Sequence, residues 1–174
     1  MLRWRRVARP STANLGPHLF RYGQSAAGHR PAWGNGIPSP GEAVRESRQK
    51  LHFLFLGYVF IPQARDALIW PAFPLTISRV VQDIKWMSAR TLNQQRQSTG
   101  TVWQHQFWDR FVCHAQEFRE RLDYMHLNPV RKGLVRRAQD WSWSSYNNYG
   151  LDKEKIKHCG MQIDYVHLPE SYRG

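Results

Sequence analysis

Residues Leu51 to Ile61, Leu-His-Phe-Leu-Phe-Leu-Gly-Tyr-Val-Phe-Ile, form a strongly apolar, aromatic and β-branched run that Pro62 stops. It is shorter than the roughly 18 residues a membrane span needs, and its residue types favour a pleated strand buried on both faces. Gly57 is a place where that strand can break. After the short link from Pro62 to Arg65, Asp66-Ala67-Leu68-Ile69-Trp70 reads as a second strand, stopped by Pro71. So short a link makes the two an antiparallel hairpin.

Helical spacing follows. Pro74-Leu75-Thr76 opens a helix in which Ile77, Val80, Val81, Ile84 and Ser88 share one stripe, with Arg79, Gln82, Lys85 and Arg90 on the other side. The polar run from Asn93 to Gly100 ends it. Residues Val102 to Arg110 alternate loosely, as a short strand or an aromatic loop. A second helix spans about Ala115 to Asn128, with Phe118, Leu122 and Met125 as its apolar stripe and Pro129 as its stop. Trp141 to Tyr149 reads as an aromatic, serine-rich loop. The fold class is α+β, an antiparallel sheet with helices packed against it.

The chain of 174 residues divides by composition into an arm, residues 1–47, a folded domain, 48–149, and a tail, 150–174. No acidic residue precedes Glu42, and Arg3, Arg5, Arg6, Arg9, Arg21 and Arg30 are scattered among Pro, Gly, Ser and Ala without a period. The arm is therefore expected to be mostly disordered up to about residue 41, with a short helical piece from Glu42 to Lys50. An N-terminal strand is not recognisable. The start, Met-Leu-Arg-Trp-Arg-Arg, lacks the apolar stretch of a secretory signal, and two cysteines, Cys113 and Cys159, build no disulfide framework. Together these favour a cytoplasmic protein with no membrane span.

A net charge of +12 favours a polyanionic partner, nucleic acid before an anionic membrane. Between Arg79 and Arg137 eleven Lys and Arg face five acids. Arg131-Lys132 and Arg136-Arg137 follow Pro129, and Trp103, Trp108, Trp141 and Trp143 could stack on unpaired bases. The same composition suits a solvated basic face above buried tryptophans.

Three groups of residues carry a family resemblance: Gly57-Tyr58-Val59-Phe60-Ile61-Pro62 with Ala67-Leu68-Ile69-Trp70-Pro71; Trp103-Gln104-His105-Gln106-Phe107-Trp108-Asp109; and Leu122-Asp123-Tyr124-Met125-His126-Leu127-Asn128-Pro129 continuing to Val135, followed by Trp141-Ser142-Trp143-Ser144-Ser145-Tyr146. In this order, over about residues 48 to 149, they resemble the REP-associated tyrosine transposases, a branch of the HUH single-tyrosine transposases. The resemblance implies a ferredoxin-like fold and a hairpin-forming single-stranded DNA partner, resembling a repetitive extragenic palindrome. It implies transposition by nicking and rejoining through a 5′-phosphotyrosine, with Mg²⁺ or Mn²⁺ held by two histidines and a helix residue.

By position, Tyr124 is the implied nucleophile and Asn128 the implied helix-borne metal ligand. Read without the family, Tyr124 is a tyrosine that packs on the sheet and hydrogen-bonds its hydroxyl. The two histidines should stand at 64 and 66, where this chain has Ala64 and Asp66. Alanine binds no metal; Asp66 with Asn128 makes a poor site for a hard cation that takes six ligands. Arg65 between them should bury a charge or bend the strand end out to water. A zinc site from Cys113-His114 and His158-Cys159 lacks the usual spacing within each pair. His126 is expected at a surface or packing position, with DNA phosphate a further option. The implied DNA contacts are Trp103, Gln104, Trp108, Arg110, Arg131, Lys132, Arg136 and Arg137. The expected function is hairpin DNA binding with strand cutting impaired; the alternative is a non-catalytic nucleic-acid-binding module, a DNA-binding remnant or an RNA-binding domain.

Overall fold

A computed structural model describes residues 17–23, 40–61, 64–150, 156 and 159–166. The hairpin forms as its sequence requires. Strands β2 (Leu54–Ile61) and β3 (Ala64–Trp70) pair antiparallel from Leu54↔Trp70 to Ile61↔Ala64. The register slips between Phe55 and Gly57, so the strand bulges at Gly57 instead of breaking there.

Strand β1 (His18–Gly23) lies between β3 and β4 (Trp108–Phe111), giving an antiparallel sheet of order β2-β3-β1-β4. Helix α1 (Pro40–Leu51) links β1 to β2, and α2 (Ile77–Gln95) lies between β3 and β4. This is the ferredoxin-like βαββαβ arrangement. Strand β1 and the start of α1 fall inside the stretch expected to be an irregular arm. His-Leu-Phe-Arg-Tyr does contain strand formers, but six residues between Pro17 and Arg/Gly/Ser-rich sequence are too few to show a period. Arg3, Arg5, Arg6, Arg9 and Arg30 lie outside the described residues.

The sheet is covered on both faces. On one, Phe55, Tyr58, Phe60, Ala67 and Ile69 pack with Val44 of α1 and with Ile77, Val80, Val81 and Ile84 of α2. Ser47 Oγ and Lys50 Nζ of α1 both bond the buried Asp83 of α2, at 2.7 and 2.6 Å. On the other face, Leu56, Val59, Ile61, Leu68 and Trp70 pack with Phe118, Leu122 and Met125 of helix α3 (Ala115–Arg131). Helix α3 comes so near the bulge that a Cβ at Gly57 would lie 2.7 Å from Leu122 Cδ1. That approach is the reason for a glycine there.

Helix α3 passes through Pro129 instead of stopping before it. The proline forfeits one intrahelical bond in the final turn. The true stop is Gly133, at φ +67, in a Schellman turn: Gly133 N–H bonds the Val130 carbonyl and Leu134 N–H the Pro129 carbonyl, both at 2.9 Å. The Trp141–Tyr149 stretch is also more ordered than a loop. Phe60 N–H donates to the Trp143 carbonyl, Ser145 N–H to the Tyr58 carbonyl, and Trp141 Nε1–H to the Phe60 carbonyl, each at 2.9 Å. With the Val59↔Ser144 bridge they close the outer edge of β2. Met161 and Ile163, in the stretch expected to be a tail, are buried in the core.

Candidate functional site

Cross-strand register sets Val59, Asp66, Arg21 and Trp108 in one row, through the pairs Val59↔Asp66, Arg21↔Asp66 and Arg21↔Trp108. Directly paired residues of antiparallel strands share a face. Here it is the α3 face. Along the row the chemistry changes from apolar to carboxylate to guanidinium to indole. Exposure rises with it: Val59 and Asp66 are buried, whereas Arg21 is 42% and Trp108 49% exposed.

Arg21 grips Asp66 with a two-pronged ion pair, Nε to Oδ1 at 2.6 Å and Nη2 to Oδ2 at 2.8 Å. Asn128 Nδ2 donates to the same Oδ2 at 3.2 Å. Tyr124 lies above Arg21, whose guanidinium carbon is 5.9 Å from the ring centroid, and the Arg131 guanidinium covers the same ring at 4.9 Å. The Arg21 pKa is raised above its ordinary value, by the hydrogen bonds to Asp66 first, against the opposing effect of burial; the Asp66 charge and the Tyr124 hydroxyl add to the rise. Arg21 is therefore a permanent cation. Tyr124, Asn128 and Arg131 fall at i, i+4 and i+7 of α3, a polar stripe beside the apolar stripe that holds the helix on the sheet. Tyr124 is 40% exposed, so a solvent-borne group can reach it.

A divalent cation does not fit these residues. Ala64 supplies no donor atom, both Asp66 oxygens are taken by Arg21, and the Asn128 amide presents its N–H to Asp66. A dication about 4 Å from a guanidinium is repelled by about 8 kcal/mol at an effective dielectric of ~20. Among the described residues no group of three or more His, Cys, Asp or Glu could hold a metal. Of the four zinc candidates, His158 lies outside the described residues; His114 caps α3, its Nδ1 accepting from Glu117 N–H at 3.1 Å.

The other expected residues are placed as follows. Arg65 does not bend the strand; it stays in register and is 1% exposed, its guanidinium 4.4 Å from the Trp103 ring centroid. An aromatic face is a good neighbour for a desolvated cation. Trp103 is itself buried and donates Nε1–H to Ser88 Oγ at 2.9 Å, a position that speaks against base stacking. His126 does not reach DNA phosphate: it is buried on the inner side of α3, with Nε2 2.8 Å from Ser145 Oγ. Burial pushes its pKa down to about 4. Gln104, Lys132 and Arg136 are exposed. Arg110 pairs with Glu117 at 2.8 Å and Arg137 with Asp140 at 2.9 Å, both keeping an exposed side. Arg21 is the residue that the sequence reading did not assign to the site. Its signal, a lone arginine inside Leu-Phe-Arg-Tyr, was obscured by the arginines around it.

No family model matches the chain. The REP-associated tyrosine transposase of Escherichia coli (strain K12) is 33% identical over 46 residues, 26% of this chain and 28% of that protein. A Haemophilus influenzae (strain ATCC 51907 / DSM 11121 / KW20 / Rd) protein carrying the same family name is 33% identical over 55 residues, 32% of this chain and 31% of that protein. The chain thus matches less than a third of the length of these curated relatives. Among solved structures, that of the REP-associated tyrosine transposase bound to a REP hairpin superposes with a TM-score of 0.66 at 18% identity, covering 100% of this chain and 98% of that one. The chain shares the fold of that solved protein. The two curated matches, short as they are, carry the name of the family that the motifs resemble, the REP-associated tyrosine transposases.

Proposed function

We propose that this chain binds single-stranded DNA that folds into hairpins, and that Tyr124 stands where the strand would be attacked. The observation that carries this is an exposed tyrosine with two guanidiniums, those of Arg21 and Arg131, 5.9 and 4.9 Å from its ring centroid. Cations for phosphates and an exposed indole, Trp108, for an unstacked base are what single-strand recognition uses. Lys132 and Arg136 extend the basic surface beyond the end of α3, and Arg110 and Arg137 each keep an exposed side on it. A solved protein of the same fold is bound to a REP hairpin. This reading places the protein on DNA in the cytoplasm.

In the family reaction the tyrosine oxygen attacks the scissile phosphorus, leaving a 5′-phosphotyrosine and a free 3′-hydroxyl, and the hydroxyl later reverses the step. A divalent metal, were one held there, would supply Lewis-acid activation of the phosphate worth several kcal/mol, on the order of a thousandfold in rate. The residues around Asp66 do not fit that metal, so cutting is expected to be strongly impaired. The same clamp favours a second reading, a non-catalytic module that occupies hairpins without cutting them.

Native and denaturing gels with a labelled hairpin oligonucleotide, with Mg²⁺ or Mn²⁺ present, test both. Retardation that prefers hairpin DNA over duplex or RNA is the expected result. An abundant covalent adduct that disappears in Tyr124→Phe overturns the impairment. Equal retention of RNA and duplex overturns hairpin recognition.

A further inference from the structure

We propose that Arg21 takes over the positive charge that a metal would otherwise supply beside Tyr124, so that Arg21 and Arg131 form a metal-independent seat for one backbone phosphate of single-stranded DNA. The inference rests on the DNA-binding reading above and names how that site holds its ligand. Three observations carry it. The guanidinium is fixed: Asp66 and its own strand position hold it in one orientation, with Nε and Nη2 engaged. A group immobilised before the ligand arrives loses little freedom on binding it. The clamp leaves Nη1, with two N–H groups, outside the ion pair. A second guanidinium, Arg131, lies 4.9 Å from the centroid of the same Tyr124 ring, so an oxyanion beside that ring meets the N–H groups of two arginines and a net charge of one, the Asp66 carboxylate cancelling the other.

The arrangement also explains the pairing of Arg21 with Asp66 across β1 and β3. A carboxylate alone at this buried position would repel a phosphate; a clamped arginine cancels that charge, presents N–H donors and leaves Arg131 to set the sign. It follows that histidines at positions 64 and 66 do not by themselves create a metal site, because Arg21 would stand free beside them and repel the dication.

Two measurements on the full chain test this. The first is the affinity for a fluorescent DNA hairpin with a single-stranded flank, in EDTA and in Mg²⁺. Binding should be equal in both. Arg131→Gln should weaken it about tenfold and lower the slope of log affinity against log salt by about 0.7, one phosphate contact on a single strand. Arg21→Lys, which keeps the charge but loses the fork, should also weaken it, in salt and in EDTA alike. Affinity that requires Mg²⁺, or that ignores both substitutions, overturns the proposal. The second measurement is Mn²⁺ binding by electron paramagnetic resonance. Neither the unaltered chain nor Ala64→His/Asp66→His should bind Mn²⁺, whereas Ala64→His/Asp66→His/Arg21→Gln should. Mn²⁺ bound by the double variant overturns the role of Arg21. Absence of hairpin binding in either buffer refutes the DNA-binding function itself, and with it the seat, while the Mn²⁺ titration still decides metal exclusion.

Discussion

His126 makes stability depend on pH in a window of its own. Its ring is 4% exposed, bonded to Ser145 Oγ at 2.8 Å and flanked by Tyr146 and Tyr149 at 5.6 and 5.8 Å between centroids. Burial lowers its pKa from 6.5 to about 4. In the unfolded chain the imidazole takes up a proton as pH falls through about 6.5; in the folded chain it does so only near 4. The folded state therefore loses stability progressively between these values and reaches its plateau above 6.5. At about 1.4 kcal/mol per pH unit the full loss is about 3 kcal/mol, of which about 2 kcal/mol is already lost at pH 5. Urea unfolding of the wild-type chain and of His126→Gln, at steps between pH 7.5 and 4.5, measures it. The wild type should lose stability across that range and the variant should stay nearly flat. Two carboxyls, Asp83 and Glu117, contribute little to the slope above pH 4.5, where the measurement is made. Burial raises both, but hydrogen bonds outweigh it, from Lys50 and Ser47 for Asp83 and from the Cys113 N–H and Arg110 for Glu117. They are held below 3.8 and 4.5. Their contribution is lost only as pH falls below their ordinary values, through the depressed folded ones. Parallel pH curves for wild type and His126→Gln, or an imidazole that titrates by NMR near 6.5, would refute the reasoning.

Gly57→Ala should cost about 1–3 kcal/mol in thermal or urea unfolding, because its Cβ meets Leu122 Cδ1 at 2.7 Å. Combined with Leu122→Ala it should cost less than the sum of the two, by about 0.5 kcal/mol or more; strict additivity would deny the close approach. Asp66→Asn should destabilise the fold by about 1–3 kcal/mol through loss of the charge-assisted clamp. A neutral outcome would mean that the ion pair contributes nothing in solution. Trp103→Leu should cost about 3 kcal/mol, removing the cover of Arg65 and the bond to Ser88. The hairpin affinity of the folded protein should nevertheless stay unchanged, and a large loss of affinity would return Trp103 to the DNA surface.

The two sheet strands and the two long helices were legible because each carries a long enough pattern. Leu54 to Ile61 is strand-like over its whole length, although Leu51 at the head of the same apolar run closes α1, and the stripes of α2 and α3 repeat over about three and about two turns. Strand β1 was not legible: its six residues are shorter than the window in which a period shows, and the charge of Arg21 looked like more of the basic arm. Pro129 misled for a different reason. A proline forbids one bond, but the chain's direction after α3 is set by Gly133, whose left-handed conformation costs it little. At the site, helical spacing alone put Tyr124 and Asn128 on one face. What they meet there could not be read, because their neighbour Arg21 comes from the far side of the sequence. Among the tryptophans, composition cannot separate the buried Trp103 from the exposed Trp108.

Strand β1 is first in sequence yet central in the sheet, and the Arg21–Asp66 pair joins residues 45 positions apart. The β2–β3 hairpin is a local structure that closes quickly, whereas inserting β1 between β3 and β4 requires a long loop to close first. Until β1 docks, Asp66 lacks its counter-charge and Tyr124 lacks the guanidinium beside it. The surroundings of Tyr124 are therefore assembled only when two distant parts of the chain meet, and a copy without β1 keeps its positive charge but not this site.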